Sequence, residues 1–351
     1  MRTASENSAG SNLRLRRAAP ARQALLLLLI TVALCLRGAG AASPSLKDLQ
    51  ARPQLRVLVT DSGLGGLSVC GDLERKALAR KAFSAVDIIF CNALPEANVG
   101  YNNLATPQRK ARVFSDALAG MVKRYRPDVI LIACNTLSVV YPDTEISRSL
   151  KVPVVGIVDL GAEMLAGRLH SLPSSAAVIF GTETTISAGA HKAQCLAKGI
   201  AAARVVAQPC PDLAAEIQTN PRGEAARNLI DLYVEEAVSR LPKGTNHLIA
   251  ALCCTHYGYC AEMFSQAFAA AGRKDVEVLN PNDNLADLLF AADAARRFPA
   301  AEVAVSVVSR ALLSPDETQA IGALLEKNSP RTAAALRRYE QRADLFPFQR
   351  D

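Results

Sequence analysis

From residue 55 onward, short and almost unbroken apolar runs alternate with longer stretches in which apolar positions recur at helical spacing. The runs are Leu55–Thr60, Val86–Cys91, Val129–Cys134, Val152–Ile157, Ala176–Gly181, Arg204–Ala207, His247–Cys253 and Val276–Leu279. They lack the regular polar–apolar alternation of a strand with one wet face, so each reads as a strand covered by helices on both sides. Helical periodicity falls on Gly66–Ala82, Pro107–Tyr125, Ala188–Gly199, Arg222–Leu241 and Glu262–Ala271. Regular βα alternation predicts an α/β fold of doubly wound parallel sheets, and this many strands predicts two such units. The corresponding division assigns 55–157 together with 275–330 to a first domain and 158–274 to a second. Residues 43–54 read as a polar linker, and 331–351 as a C-terminal helix and loose tail.

Residues 1–42 have a different character. They hold six arginines against one acid, whereas the rest of the chain is nearly balanced, so most of the net charge of +7 resides in this segment. The body has no basic run and no tryptophan, which argues against a nucleic-acid surface. Arg14–Arg22 reads as a basic leader and Ala24–Leu36 as an apolar core too short to span a bilayer. Ala39-Gly40-Ala41 follows as a small-residue cleavage site, so 1–42 reads as an export signal. The expected location is secreted or periplasmic, or cytoplasmic if the signal is not functional, with no stable membrane insertion after cleavage.

In open α/β sheets, ligands bind beyond the carboxyl ends of the strands, and four polar motifs fall at that edge. The first, Thr60–Ser68, is glycine-rich but has neither the phosphate-loop nor the dinucleotide pattern. Its N–H groups are expected to approach a small carboxylate at a helix start; the competing reading is a tight turn with glycine at positive φ. The other three begin at Cys134-Asn135-Thr136, Gly181-Thr182 and Cys254-Thr255-His256. Asn135, Thr136, Thr182, Thr184, Thr185 and Thr255 offer groups suited to a small zwitterion, with helix capping as their plainer role.

Nine cysteines are present, Cys35 within the leader and eight in the body. Cys70, Cys91, Cys195, Cys210 and Cys260 read as small core or surface residues. Cys134 and Cys254 differ, because each stands at a strand-to-helix junction where N–H groups are expected to lower a thiol pKa. Two thiols at matching points of two units can take a proton from one side of a carbon and return it to the other. Asp61 follows a buried strand and can orient or deprotonate a thiol, and His256 can protonate a leaving group or tune Cys254. A metal site built from Cys253, Cys254, His256 and Cys260 fits no ordinary zinc spacing, so no metal is expected. His170, His191 and His247 read as surface or strand-edge residues.

Asp61-Ser62-Gly63-x-Gly65-Gly66-Leu67-Ser68-Val69, Ala133-Cys134-Asn135-Thr136-x-Ser138, Gly181-Thr182-x-x-Thr185-Ile186-x-x-Gly189 and Cys254-Thr255-His256-Tyr257 together resemble the glutamate racemase branch of the aspartate/glutamate racemase superfamily. The resemblance covers roughly residues 55–290. It implies two α/β domains facing each other in a pseudo-twofold arrangement, with a mechanism that needs no cofactor. By position, Cys134 and Cys254 match the catalytic thiols and Asp61 and His256 the assisting groups. Ser62, Asn135, Thr136, Thr185 and Thr255 match substrate contacts, with Tyr101 in plausible register. Several positions depart from the family pattern: Cys253 stands for a glycine, Gly258 for a proline, and Asn92 for an aspartate. The family's glutamate downstream of Cys210-Pro211 falls on Gln218, with Glu216 as an alternative. The implied activity is interconversion of L- and D-glutamate, which in this family feeds peptidoglycan precursors of the cell wall. Aspartate or another acidic amino acid, a related lyase and an exported amino-acid-binding protein are the alternatives. The expected partner is a small acidic amino acid, and a homodimer fits as the assembly.

Overall fold

The computed structural model describes residues 44–290 and 296–350; the export-signal reading and Cys35 lie outside the described residues. The apolar runs form β1 (Gln54–Asp61), β2 (Ala85–Asn92), β3 (Val129–Ile132), β4 (Val154–Gly156), β5 (Ala176–Gly181), β6 (Val205–Pro209), β7 (Leu248–Cys253) and β8 (Val276–Leu279). Two further strands, β9 (Glu302–Ser309) and β10 (Glu340–Gln341), are absent from the pattern-based expectation. The helices are α1 (Leu46–Gln50), α2 (Leu67–Arg80), α3 (Pro107–Tyr125), α4 (Asn135–Val140), α5 (Ile157–Ser171), α6 (Glu183–Ala188), α7 (Ala190–Ala197), α8 (Leu213–Thr219), α9 (Glu224–Ser239), α10 (Ala261–Ala270), α11 (Asn282–Leu285), α12 (Pro315–Glu326) and α13 (Pro330–Arg337).

Both sheets are parallel. The first runs β10-β9-β2-β1-β3-β4 and the second β6-β5-β7-β8. The order β2-β1-β3-β4 is thus repeated as β6-β5-β7-β8, one unit built twice, with β9 and β10 added at the outer edge of the first. Successive side chains point to opposite faces of a strand, and the cores follow that rule. Val57, Val59, Ile88, Phe90, Val129 and Leu131 pack on one face of the first sheet, and Leu58, Ile89, Cys91, Ile130 and Ile132 on the other. In the second sheet Val178, Phe180, Ala250 and Leu252 oppose Ile179, Ile249, Ala251 and Cys253.

Several expected boundaries move. β8 pairs with β7, so this strand extends the second sheet, although the sequence division places 275–330 with the first. The 43–54 segment holds α1, capped by Ser45 and anchored by buried Leu49. The C-terminal segment is no loose tail: β10 pairs with β9, and Leu345 and Phe346 are buried beside Phe114 and Val308. β9 alternates exposed and half-buried residues over its first five positions, with Glu302, Ala304 and Ser306 exposed, unlike the buried apolar runs that mark the central strands.

Candidate active site

A doubly wound sheet opens a crevice where consecutive connections leave in opposite directions. In the first sheet that point lies between β1 and β3, and in the second between β5 and β7. The four motifs are the carboxyl ends of those four strands. They line one cavity of about 450 Å³ that contains Asp61, Ser62, Asn135, Thr136, Cys134 and Tyr101 from the first half and Thr182, Cys254, Thr255 and His256 from the second.

The loop after β1 passes close against the second half. Asp61 accepts the Gly63 N–H at 3.0 Å on one oxygen and the Thr255 hydroxyl at 2.8 Å on the other. The Leu64 N–H donates to Gln218 Oε1 at 2.7 Å. Two of the loop's amides are therefore engaged within the chain, and neither is free for the carboxylate expected there. Nor do its glycines sit at positive φ; they are needed for close approach. A Cβ on Gly65 would lie 2.3 Å from Thr255 Oγ1 and one on Gly66 2.8 Å from Asp61 Cβ.

Cys134 caps α4, receiving the Leu137 N–H at 3.4 Å, and its sulfur lies 3.2 Å from Ser62 Oγ. Cys254 follows β7, with its sulfur 3.8 Å from His256 Nδ1. Each thiol is only 6% exposed. The expected lowering of their pKa is overturned by that burial. Cys134 is pushed up to about 12 by desolvation and then by the Asp61 charge, against the opposing Ser62 and Leu137 hydrogen bonds. Cys254 is held well above the ordinary thiol range by burial, with Cys134, Asp61 and Cys210 adding to it. Asp61 rises to about 6 because it is buried, although its hydrogen bonds pull the other way. Burial lowers His256 to about 4, with the Glu317 charge opposing the shift.

The remaining site residues divide clearly. Asn135 is buried with no hydrogen-bond partner on either amide atom, and Tyr101 OH is buried and likewise unpartnered. Thr136, Thr182 and Thr185 form a hydroxyl triangle across the two halves, with Oγ1 separations of 2.8, 3.1 and 3.3 Å. Thr185 stands behind Thr182 in it, outside the lining residues. Thr184 faces elsewhere, accepting from Lys110 at 2.7 Å and donating to Asn102 at 2.6 Å. Of the two acid alternatives, position 218 is at the site, where Gln218 meets His256, whereas Glu216 is not among the lining residues. Cys253 points to the opposite sheet face, among Cys195 and Leu279, and among the described residues no cluster of metal-binding groups exists. His191 is buried rather than superficial.

Sequence reasoning misses the wall residue Glu317, which comes from α12. The spacing Ser314-x-x-Glu317 is legible as a helix start and forms that capping box, but nothing in it signals a pocket.

A family profile described as Asp/Glu/Hydantoin racemase matches residues 58–289. Glutamate racemase from Aquifex pyrophilus is 28% identical over 234 residues, covering 66% of this chain and 80% of that relative. Its counterpart from Streptococcus agalactiae is 29% identical over 199 residues, 56% of this chain and 67% of the relative. Among solved structures, glutamate racemase from Francisella tularensis in complex with D-glutamate superimposes with a TM-score of 0.59 at 21% identity, covering 80% of this chain and 95% of that one. The Aquifex pyrophilus glutamate racemase structure gives 0.53 at 22% identity, covering 78% and 96%. The two-domain α/β architecture is that of these neighbours, and the chain is an isomerase belonging to the Asp/Glu/Hydantoin racemase family.

Proposed function

We propose that this chain interconverts L- and D-glutamate by a two-thiol acid–base mechanism that uses no cofactor. The observation that carries the reading is the placement of Cys134 and Cys254 at equivalent strand ends of two topologically identical units, both lining one cavity. One thiolate takes the α-proton while the opposite thiol gives its proton to the other face of the carbon. One C–H bond breaks and another forms, with no net redox change. Such transfers require groups within hydrogen-bond reach of the reacting carbon. A buried thiol with a raised pKa is a stronger base once ionised, which suits a weakly acidic C–H, and Asp61 is placed to balance the substrate's ammonium group.

Among the described residues that line the cavity, none is lysine or arginine. Substrate carboxylates would therefore be met by the Asn135 amide and the threonine hydroxyls. Glutamate is preferred to aspartate because the relatives above are glutamate racemases at 28–29% identity. The leader-like segment 1–42 supports an exported form of the enzyme, which fractionation and N-terminal sequencing of the mature protein would test.

Proton exchange in D₂O tests the activity. L-glutamate and L-aspartate are incubated separately with reduced protein and followed by α-proton NMR and chiral chromatography. Loss of the α-proton signal with the D-isomer appearing is the expected result for glutamate. C134A and C254A should each abolish racemisation, and full activity in either variant refutes the two-thiol mechanism.

A further inference from the structure

His256 stands at one end of a hydrogen-bonded chain that begins beyond residues 58–289, the span of the family match. Its Nε2 lies 2.8 Å from Gln218 Oε1, and the same oxygen accepts the Leu64 backbone N–H at 2.7 Å. At its other end Gln218 donates Nε2–H to Glu317 Oε1 at 2.6 Å. These partners decide which way round the amide stands. A backbone N–H only donates and a carboxylate only accepts, so the oxygen faces Leu64 and His256 and the nitrogen faces Glu317. An amide oxygen cannot donate, so the hydrogen between His256 and Gln218 belongs to His256 Nε2. A neutral imidazole carries one N–H, which leaves Nδ1 bare, 3.8 Å from Cys254 Sγ. Glu317 is itself held at its second oxygen by the Ser314 N–H at 3.0 Å.

We propose that Glu317, acting through Gln218, is a positioning residue for His256: it locks the imidazole as the Nε2–H tautomer and keeps the Nδ1 lone pair turned to the Cys254 thiol. Its catalytic meaning rests on the racemase reading above. With the lone pair so placed, Nδ1 accepts a hydrogen bond from the Cys254 S–H and fixes the direction in which the thiol stands at the cavity, while both groups keep the neutral forms that burial favours. The rival account is that Glu317 only caps α12.

¹⁵N NMR of histidine-labelled full-length protein separates the two, together with kcat and KM. Wild type should show a protonated Nε2 and a bare Nδ1 for His256. E317A should shift population toward the Nδ1–H form and lower kcat about tenfold with KM little changed, a fraction of the roughly 10²–10⁴-fold that a proton-transfer group itself contributes. E317Q, whose amide oxygen still accepts from Gln218, should restore the wild-type tautomer. S314A removes the serine side of the capping box but leaves the Glu317–Gln218 bond, so it should lower the melting temperature without moving tautomer or kcat. The proposal is overturned if E317A keeps the wild-type tautomer, or if S314A shifts it equally. Should E317A not fold, Gln218→Met reads the same tautomer. The spectrum needs no turnover, so failure of the racemase reading and failure of this proposal are separable.

Discussion

Asp61 is expected to lower the stability of the fold at neutral pH while serving the site, and Asp61→Asn exposes that trade. The carboxyl is fully buried, and its pKa is raised from 3.8 to about 6, first by desolvation. An acid whose folded pKa lies above its unfolded value contributes stability that is complete below the unfolded value and lost as pH rises through the folded one. The window here runs from about pH 4 to about pH 6. At 1.36 kcal/mol per unit, a shift of about two units corresponds to about 3 kcal/mol, a visible share of a net stability of about 5–15 kcal/mol. Asparagine has nearly the same shape. Its oxygen keeps the Gly63 N–H, and the Thr255 hydroxyl can turn to accept from its NH₂.

Urea unfolding followed by circular dichroism at pH 4 and pH 7 gives the comparison. D61N should be the more stable protein at pH 7 by up to about 3 kcal/mol, with the advantage shrinking toward zero at pH 4 and racemisation lost throughout. A wild type more stable than D61N at pH 7, or a difference that does not vary between the two pH values, refutes the reasoning.

Three further outcomes follow from the same geometry. Gly65→Ala drives a Cβ to 2.3 Å from Thr255 Oγ1 and 2.7 Å from the His256 backbone nitrogen, so melting should fall by an overpacking penalty of about 1–3 kcal/mol; an unchanged melt contradicts the close approach. Because Cys134 sits at about 12, its iodoacetamide labelling, mapped by mass spectrometry, should rise about tenfold per pH unit from pH 7 to 10 as the thiolate fraction grows; a plateau near pH 8 would contradict the burial argument. Asn135 has no protein partner for its buried amide, so Asn135→Ala should leave stability unchanged or higher while weakening glutamate binding about tenfold or more by calorimetry, the loss of one or two hydrogen bonds; unaltered affinity would remove it from the substrate contacts.

The unit that occurs twice was the most legible part of the chain, because strands buried on both faces write themselves as unbroken apolar runs. The position of Cys134 and Cys254 at the cavity is legible for a related reason: residues directly after such a run lie at the carboxyl edge of the sheet, where open α/β folds form their crevices. β9 alternates exposed and half-buried residues along its first five positions, so it lacks the signature of a buried parallel strand. The glycines of the β1 loop read as turn residues, since sequence does not reveal which surface will press against them. The thiols shift opposite to the sequence expectation because local N–H groups are visible in sequence, whereas the depth of burial is a property of the assembled halves. Glu317 was invisible as a site residue, since its contact with Gln218 joins positions 99 residues apart.

The repeated topology makes the two thiols equivalent in position, yet their surroundings are not equivalent. Cys134 meets a hydroxyl and a backbone N–H, from Ser62 and Leu137. Cys254 meets an imidazole whose other nitrogen is tied through Gln218 to a carboxylate. The asymmetry comes from what was added to the repeat. Beyond β8 the chain returns to the first sheet as β9, and α12 then packs against α8, bringing Glu317 to the second half's glutamine. Equivalent geometry puts one thiol from each half at the same cavity, the arrangement that the proposed two-thiol mechanism needs. The unequal partners mean that a thiol-based mechanism would treat its two sides differently, and the difference is traced to the appended C-terminal segment rather than to the duplicated core.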